Sequence, residues 1–265
     1  MSCMFTDKNV VITGASSGLG RALAVALSHK GANILLAGRD EHALAQTKAL
    51  CVGDGDISIF VGDITAPEDT QRLLTAATAS KNLDMLFLNA GMSMWSEFKD
   101  LPDIDVFRQM MEVNFFANVD LLHKALPFLL QSRGHVVAIS SFQGKMGVPY
   151  HTAYAASKHA LVGWIDSLRL EVEPQVQFLS VFPSWLKGTN LRSNSFVELG
   201  NKKVQHQSDK GTDVHKCSQE ILRALEKGKK QLFIPKWYKW LPVVRFLIPD
   251  MLDRIIVQKT QKNIC

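Results

Sequence analysis

Short apolar runs alternating with amphipathic stretches constrain this chain more than any other feature. Residues 9-NVVIT-13, 33-NILLA-37, 57-ISIFV-61, 84-DMLFL-88, 135-HVVAIS-140, 176-VQFLSVF-182 and 231-QLFIP-235 are each bounded by turn residues. Each is too short for a buried helix and reads as a strand apolar on both faces. Between them lie helical patterns over 19–31, 41–50, 68–80, 103–133, 153–172 and 214–227, with Gly31 stopping the first. Pro127 marks a kink or a new start in the longest. Strand–helix alternation demands right-handed crossovers. The expected architecture is α/β: one doubly wound Rossmann-type domain, with a seven-stranded parallel sheet covered on both faces. Ligands of such sheets bind beyond the C-terminal strand ends.

The chain has 265 residues, 46% of them hydrophobic, enough for one large core. We read 1–235 as the dinucleotide-binding and catalytic domain, 183–212 as a substrate loop within it, and 236–265 as an aromatic and basic extension. The net charge of +5 is weighted late, with Lys202, Lys203, Lys227, Lys229, Lys230, Lys236, Lys239, Lys259 and Lys262. That reads as a solvated basic surface or one facing an anionic membrane. Nucleic acid is not expected, because no basic-aromatic array accompanies the charge elsewhere. Cys3, Cys51, Cys217 and Cys265 are scattered, which argues against a disulfide framework or structural zinc. No signal-peptide pattern opens the chain, so a cytoplasmic setting is expected, with peripheral membrane association as an alternative that rests on the tail.

The first strand runs into 13-TGASSGLG-20. Gly14 permits the sharp strand exit, Gly18 admits a diphosphate to the backbone, and Gly20 lets the next helix lie close to the sheet. The turn stands where a dinucleotide site needs it, after a strand and opening a helix. Its spacing, TGxxxGxG, resembles that of the short-chain dehydrogenase/reductase family. So do 89-NAG-91 after the fourth strand, Asn114 in the long helix, Ser141 after the fifth strand, and Tyr154 with Lys158. The resemblance covers about residues 8 to 190. It implies that Gly14, Ser16, Ser17, Gly18, Leu19, Gly20, Asn89, Ala90 and Gly91 line the cofactor, and that Asp63 and Ile64 meet the adenine.

The second strand ends 35-LLAGRD-40. Gly38 stands where an acidic residue would grip a ribose 2′-hydroxyl, and Arg39 follows, suited to a 2′-phosphate. NADP(H) is the expected cofactor. Asp40 is the competing reading, either as that acid or as the cap of the next helix. The basic residue that the family places inside the glycine turn is replaced by Ser16 and Ser17.

Tyr154 and Lys158 are four residues apart and share one helix face, with Ala155, Ala156 and Ser157 leaving room for a cofactor. A neighbouring ammonium favours the phenolate, so we expect it to lower the phenol's pKa. The pair reads as an acid–base, Tyr154, tuned by Lys158, which also binds the ribose. On its own it is equally an unreactive surface pair. The resemblance adds Ser141 as the hydroxyl that holds a carbonyl, with Ser140 the competing position. It adds Asn114 as the holder of a relay water, alternatively a cap at a helix irregularity. His151, His159 and His123 lack partners at metal-ligand spacing, and no metal is expected.

Downstream, 183-PSWLKGTN-190 keeps the family's Pro183, replaces its glycine with Ser184, and places Thr189 one residue late for a nicotinamide contact. The aperiodic segment 185–210 reads as a loop ordering over the cofactor. Met92, Met94, Trp95, Phe142, Met146, Val148, Tyr150 and Trp185 are candidate walls for an apolar carbonyl or alcohol: steroid, retinoid or lipid-like. The tail, 236-KWYKWLPVVRFLIPDMLDRIIVQKTQKN-263, is too interrupted to span a bilayer. It reads as an interfacial helix pair, a dimer contact or flap beside the site, or a disordered end. The family forms dimers or tetramers through the long helix and the Tyr-bearing helix, where Met110, Phe115, Trp164 and Leu168 serve as interface or core. A catalytically quiet nucleotide-binding regulator and a membrane-bound structural protein are the competing functions.

Overall fold

The computed structural model describes residues 4–79, 82–189, 191, 195–198 and 211–261. Cys3, Cys265, Lys202, Lys203, Lys262 and most of 185–210 lie outside the described residues. In chain order the elements begin with β1 (Asn9–Thr13), α1 (Gly18–Ser28), β2 (Asn33–Gly38), α2 (Glu41–Leu50), β3 (Ile57–Val61) and α3 (Pro67–Thr78). Then come β4 (Met85–Leu88), β5 (Met94–Ser96), α4 (Asp105–Met111), a π-helical turn (Glu112–Phe116) and α5 (Ala117–Ser132). After these follow β6 (His135–Ile139), α6 (Thr152–Val172), β7 (Gln177–Pro183), β8 (Leu186–Lys187), β9 (Phe196–Glu198), β10 (Thr212–Asp213), α7 (Val214–Glu226) and β11 (Gln231–Ile234). A 3₁₀ turn (Lys236–Trp240), α8 (Leu241–Leu247) and α9 (Pro249–Gln261) complete the chain.

Seven strands form one parallel sheet in the order β11-β7-β6-β4-β1-β2-β3. The central strands are apolar on both faces, and two core clusters lie one on each side. The first joins α1 and α7 through Leu23, Leu27, Ile221 and Leu225. The second joins α3, α5 and α6 through Leu73, Leu121, Leu129 and Leu161. The strand order reverses at β1, between β2 and β4. The open crevice of such a sheet lies there, so the turns after β1 and β4 meet at its mouth.

The expected long helix is divided by the π-helical turn at Glu112–Phe116, and Pro127 lies inside α5 instead of starting a segment. The segment after β7 is less aperiodic than its sequence. β9 pairs in parallel with β5, Trp95 opposite Val197, and β8 pairs with β10. Two- and three-residue pairings leave no periodic signal in sequence.

Candidate active site

The glycine turn is held from the far side of the crevice. The backbone N–H groups of Asn89 and Ala90 each donate to Thr13 Oγ1 at 3.0 Å, and that hydroxyl donates to the Phe87 carbonyl at 3.1 Å. Asn89 Nδ2 donates to the Thr13 and Gly14 carbonyls at 2.8 and 3.2 Å. Asn89 therefore shapes the turn from beneath. Thr13 is the hub of this clamp. Sequence reasoning passed over it, since a threonine at a strand end is unremarkable until β4 is placed beside it.

Gly14 has φ +65° and Gly18 φ +52°, both in the region that favours glycine. A Cβ on Gly14 would lie 2.9 Å from Ala90 Cα, and one on Gly20 would collide with the Gly14 carbonyl oxygen. Ser17 precedes α1 in extended backbone without a side-chain capping bond. The first-turn amides of α1 thus have no intrahelical acceptor and suit an anion. Ser16 and Ser17 are half-buried, whereas Leu19 is buried in the core and offers only its backbone. Thr189 lies over the turn, its Cβ 3.3 Å from a Cβ placed on Gly18. A backbone cradle without side chains, a helix start and a nearby Arg39 are a fitting donor set for a dinucleotide phosphate.

Asp40 is the N-cap of α2 and accepts the Ala43 N–H at 2.9 Å, which answers the alternative left open in sequence. Arg39 is exposed and lies 3.6 Å from the Asp63 carboxylate. Partial burial works against the Asp63 charge, but bonds from Thr65 and the Arg39 guanidinium bring its pKa below the ordinary value.

The π-helical turn sets Asn114 into the interior, fully buried. A π turn frees backbone groups and often marks a functional position. Here Asn114 Oδ1 accepts from Met92 N at 2.9 Å, while Nδ2 donates to Met92 O at 3.0 Å and Ser157 Oγ at 2.9 Å. Its backbone carbonyl accepts from Asn118 Nδ2 at 3.0 Å. Ser157 Oγ in turn donates to the Tyr154 carbonyl at 2.9 Å, so the strand-following loop and α6 are tied through one amide. Gly91 lies against this point: a Cβ there would sit 2.9 Å from Asn114 Oδ1 and 3.5 Å from Lys158 Nζ.

Ser141, Tyr154 and Lys158 are all buried. Ser141 Oγ accepts the Gln143 N–H at 3.1 Å and is the polar group that acts on the Tyr154 hydroxyl. Ser140 turns the other way, its hydroxyl 3.5 Å from the Lys158 carbonyl. Lys158 Nζ donates to the Ile139 carbonyl at 3.0 Å and lies 5.9 Å from the centre of the Tyr154 ring. The electrostatics correct one expectation. Burial pushes the phenol up to about 12, only partly offset by the neighbouring Ser141, and pushes Lys158 down to about 8. Desolvation disfavours the charged form of both groups and is the leading cause of each shift.

The expected walls divide. Trp95 is stacked on Tyr150 (centroids 6.2 Å), edge-on to His151 (4.6 Å) and tilted against Trp185 (5.6 Å). His151 stands 6.4 Å from the Tyr154 ring, so this aromatic group reaches the phenol. Met94 and Met110 are core, clustered with Tyr154, so Met110 is not an interface residue of this chain's surface. Phe115 meets Trp164 edge-on. Phe142 and Met146, after β6, are covered by the tail: Tyr238 lies 4.7 Å from Phe142, and Leu252 and Ile256 pack alongside. The tail thus packs against the segment that follows β6. A cleft of about 470 Å³ opens between Glu97–Lys99, Pro149–Tyr150 and Val257 of α9. His151 Nδ1 lies 2.8 Å from the Pro149 carbonyl and His159 Nδ1 2.8 Å from that of Ala155.

Residues 8–199 match the family model described as short chain dehydrogenase. The chain belongs to the short-chain dehydrogenase family. It is 29% identical to 11-beta-hydroxysteroid dehydrogenase-like 2 of Arabidopsis thaliana, over 97% of this chain and 85% of that protein. It is 35% identical to dehydrogenase/reductase SDR family member 7B of Bos taurus, over 96% of this chain and 82% of that protein. A short-chain dehydrogenase/reductase from Burkholderia phymatum in complex with NAD shares the fold with a TM-score of 0.82 at 21% identity, covering 93% of this chain and 95% of that one. One from Burkholderia cenocepacia in complex with NADP has a TM-score of 0.78 at 23% identity, covering 96% and 99%. The family membership makes this chain an oxidoreductase with a nucleotide-binding Rossmann fold. Among the described residues, no helix is long and apolar enough to cross a membrane.

Proposed function

We propose that the chain is an NADP(H)-dependent oxidoreductase that interconverts an apolar carbonyl compound and its alcohol, with Tyr154 as the acid–base. The observation that carries this reading is the buried trio of Ser141, Tyr154 and Lys158, with the Lys158 ammonium 5.9 Å from the centre of the Tyr154 ring. Bound in the crevice, the nicotinamide dinucleotide would supply or accept the hydride.

The chain's own groups do the rest. Gly14, Gly18 and Gly20 admit the phosphates, and Arg39 takes the 2′-phosphate in place of Asp63. The Gln143 N–H occupies one lone pair of Ser141 Oγ and so directs its proton toward the phenol and the substrate oxygen. Tyr154 Oη gives its proton to the carbonyl oxygen as the alcohol forms. A phenol pushed up to about 12 is fully protonated at neutral pH, which suits donation and hence reduction. Lys158, held at the Ile139 carbonyl, stabilises the phenolate left behind.

Two observations support an apolar substrate. The walls nearest the phenol are aromatic, and the relatives include proteins named for hydroxysteroids. The exposed tail residues Trp237, Trp240, Phe246 and Leu247 beside Lys236 and Lys239 support peripheral contact with an anionic membrane from the cytoplasmic side. Exposed Phe116 in the π-helical turn and Leu170 on α6 support a homodimer or homotetramer. The test is NADPH oxidation against a panel of steroid, retinoid and fatty ketones beside small sugars, with Tyr154→Phe as control. Turnover of the apolar ketones, lost in the variant while NADPH still binds, is expected. Nucleotide binding without turnover on any carbonyl would instead favour the quiet regulator. Flotation with anionic liposomes, intact against a chain ending at Pro235, tests the membrane contact, and light scattering tests the oligomer.

A further inference from the structure

One half-buried cation beside the glycine turn has no carboxylate partner. Arg21 follows Gly20 on α1, is half-buried, and turns its guanidinium toward the glycine turn and α2. Nη2 donates to the Ser16 carbonyl at 2.6 Å and the Ala43 carbonyl at 3.3 Å, and lies 3.5 Å from Gln46 Oε1. Nε donates to Thr47 Oγ1 at 2.9 Å. Thr47 is fully buried, and its hydroxyl lies 3.0 Å from the Ala15 carbonyl and 3.1 Å from that of Ala43. Every one of these acceptors is neutral. Among the described residues, no Asp or Glu lies within ion-pair distance of Arg21.

A half-buried cation whose acceptors are all neutral is placed to gain from a ligand that supplies the counter-charge. The location says which ligand. The guanidinium bridges Ala15–Ser16 of the glycine turn to the first turns of α2, whose cap, Asp40, directly follows Arg39. A hydrogen bond to the Ser16 carbonyl also polarises that peptide, making the Ser17 N–H a stronger donor toward an anion. Resting on the proposed dinucleotide reading, we infer that Arg21, braced by Thr47, is a positioning residue that supplies the basic charge of the turn and sets selectivity for the 2′-phosphorylated cofactor. It stands in for a basic side chain at Ser16 or Ser17. A diphosphate is common to both nicotinamide dinucleotides. A charge at the α2 end of the turn separates them, because only one carries a phosphate there.

The test is calorimetric titration of the full chain with NADPH and with NADH, for the wild type, Arg21→Gln, Arg21→Lys and Thr47→Val. Loss of one charge-assisted contact corresponds to about a tenfold change in Kd. We expect Arg21→Gln to weaken NADPH about tenfold and NADH less than about threefold. Arg21→Lys should recover most of the NADPH affinity, and Thr47→Val should fall between them. The dependence of NADPH affinity on salt should flatten in Arg21→Gln. A purely structural brace would change both cofactors alike, so an unchanged NADPH-to-NADH ratio in all three variants overturns the inference. If Arg21→Gln fails to fold, Thr47→Val, which removes no charge, carries the same ratio test. A wild-type chain that binds neither dinucleotide removes the underlying reading as well. One that binds NADPH, with variants that keep its ratio, removes this inference alone.

Discussion

Replacing Lys158 with methionine should make the protein more stable at neutral pH and less stable in alkali. Lys158 is 4% exposed, and its pKa falls from 10.5 to about 8 on folding. Between those values the unfolded chain binds a proton that the folded chain does not, so stability rises with pH through that window. At about 1.4 kcal/mol per pH unit, the gap corresponds to about 3 kcal/mol, present in full as a penalty at pH 7. Methionine fills a similar volume without the charge but leaves the Ile139 carbonyl unpaired, which costs about 1 kcal/mol. The variant should therefore gain about 2 kcal/mol at pH 7, draw level at about pH 10, and lose about 1 kcal/mol above pH 10.5. Tyr154 and Cys217, both pushed up to about 12, lower stability as pH rises through their own windows. They do so in both proteins and cancel in the difference. Urea denaturation from pH 7 to 10.5, followed by tryptophan fluorescence, measures it. A stability difference that stays flat across this range would show that the ammonium is not desolvated, and the electrostatic account of the site would fail.

Other perturbations act on single named contacts. Ser141→Ala removes the hydroxyl that partly offsets burial of the phenol, so the ionisation of Tyr154 seen by ultraviolet titration should move further upward and turnover should fall by about a hundredfold. Gly20→Ala places a methyl against the Gly14 carbonyl and should lower the melting temperature by several degrees while abolishing nucleotide binding, measured by calorimetry. Asp40→Ala removes the cap of α2 and should cost about 1 kcal/mol in urea without changing the NADPH-to-NADH ratio, since this carboxylate faces Ala43. Ending the chain at Pro235 uncovers Phe142 and Met146 and should raise KM for apolar ketones more than it lowers nucleotide affinity.

The sheet was legible because parallel strands covered on both faces must be apolar throughout, as Val10 to Ile12 and Met85 to Leu88 are. The glycine turn was legible because positive φ and close backbone approach admit few other residues. What escaped is what distant parts of the chain decide together. Thr13, Ser157 and Thr47 each join elements from 32 to 76 residues apart, and no local pattern announces such a bond. The β5–β9 strap and the π turn at Asn114 have the same character. The phenol was misjudged for a related reason. The spacing of Tyr154 and Lys158 is local, but the burial that dominates their charge states is supplied by the whole fold.

The residues at the site differ in how far the fold alone accounts for them. Asn114 is buried with its amide engaged on both atoms and its carbonyl capped by Asn118, so packing and hydrogen bonding explain its presence. Lys158 has no such explanation. It donates to the Ile139 carbonyl, carries a desolvation penalty at neutral pH, and sits where methionine would serve the fold better. Tyr154 likewise buries an ionisable hydroxyl against a second hydroxyl when phenylalanine would fill the space. A site that lowers the stability of its own scaffold is the signature expected of chemistry. The same reasoning singles out Arg21, a half-buried cation without a counter-charge. The groups that the fold does not need, Tyr154 with Lys158 at one end of the crevice and Arg21 at the other, are where a proton and a phosphate would have to be handled.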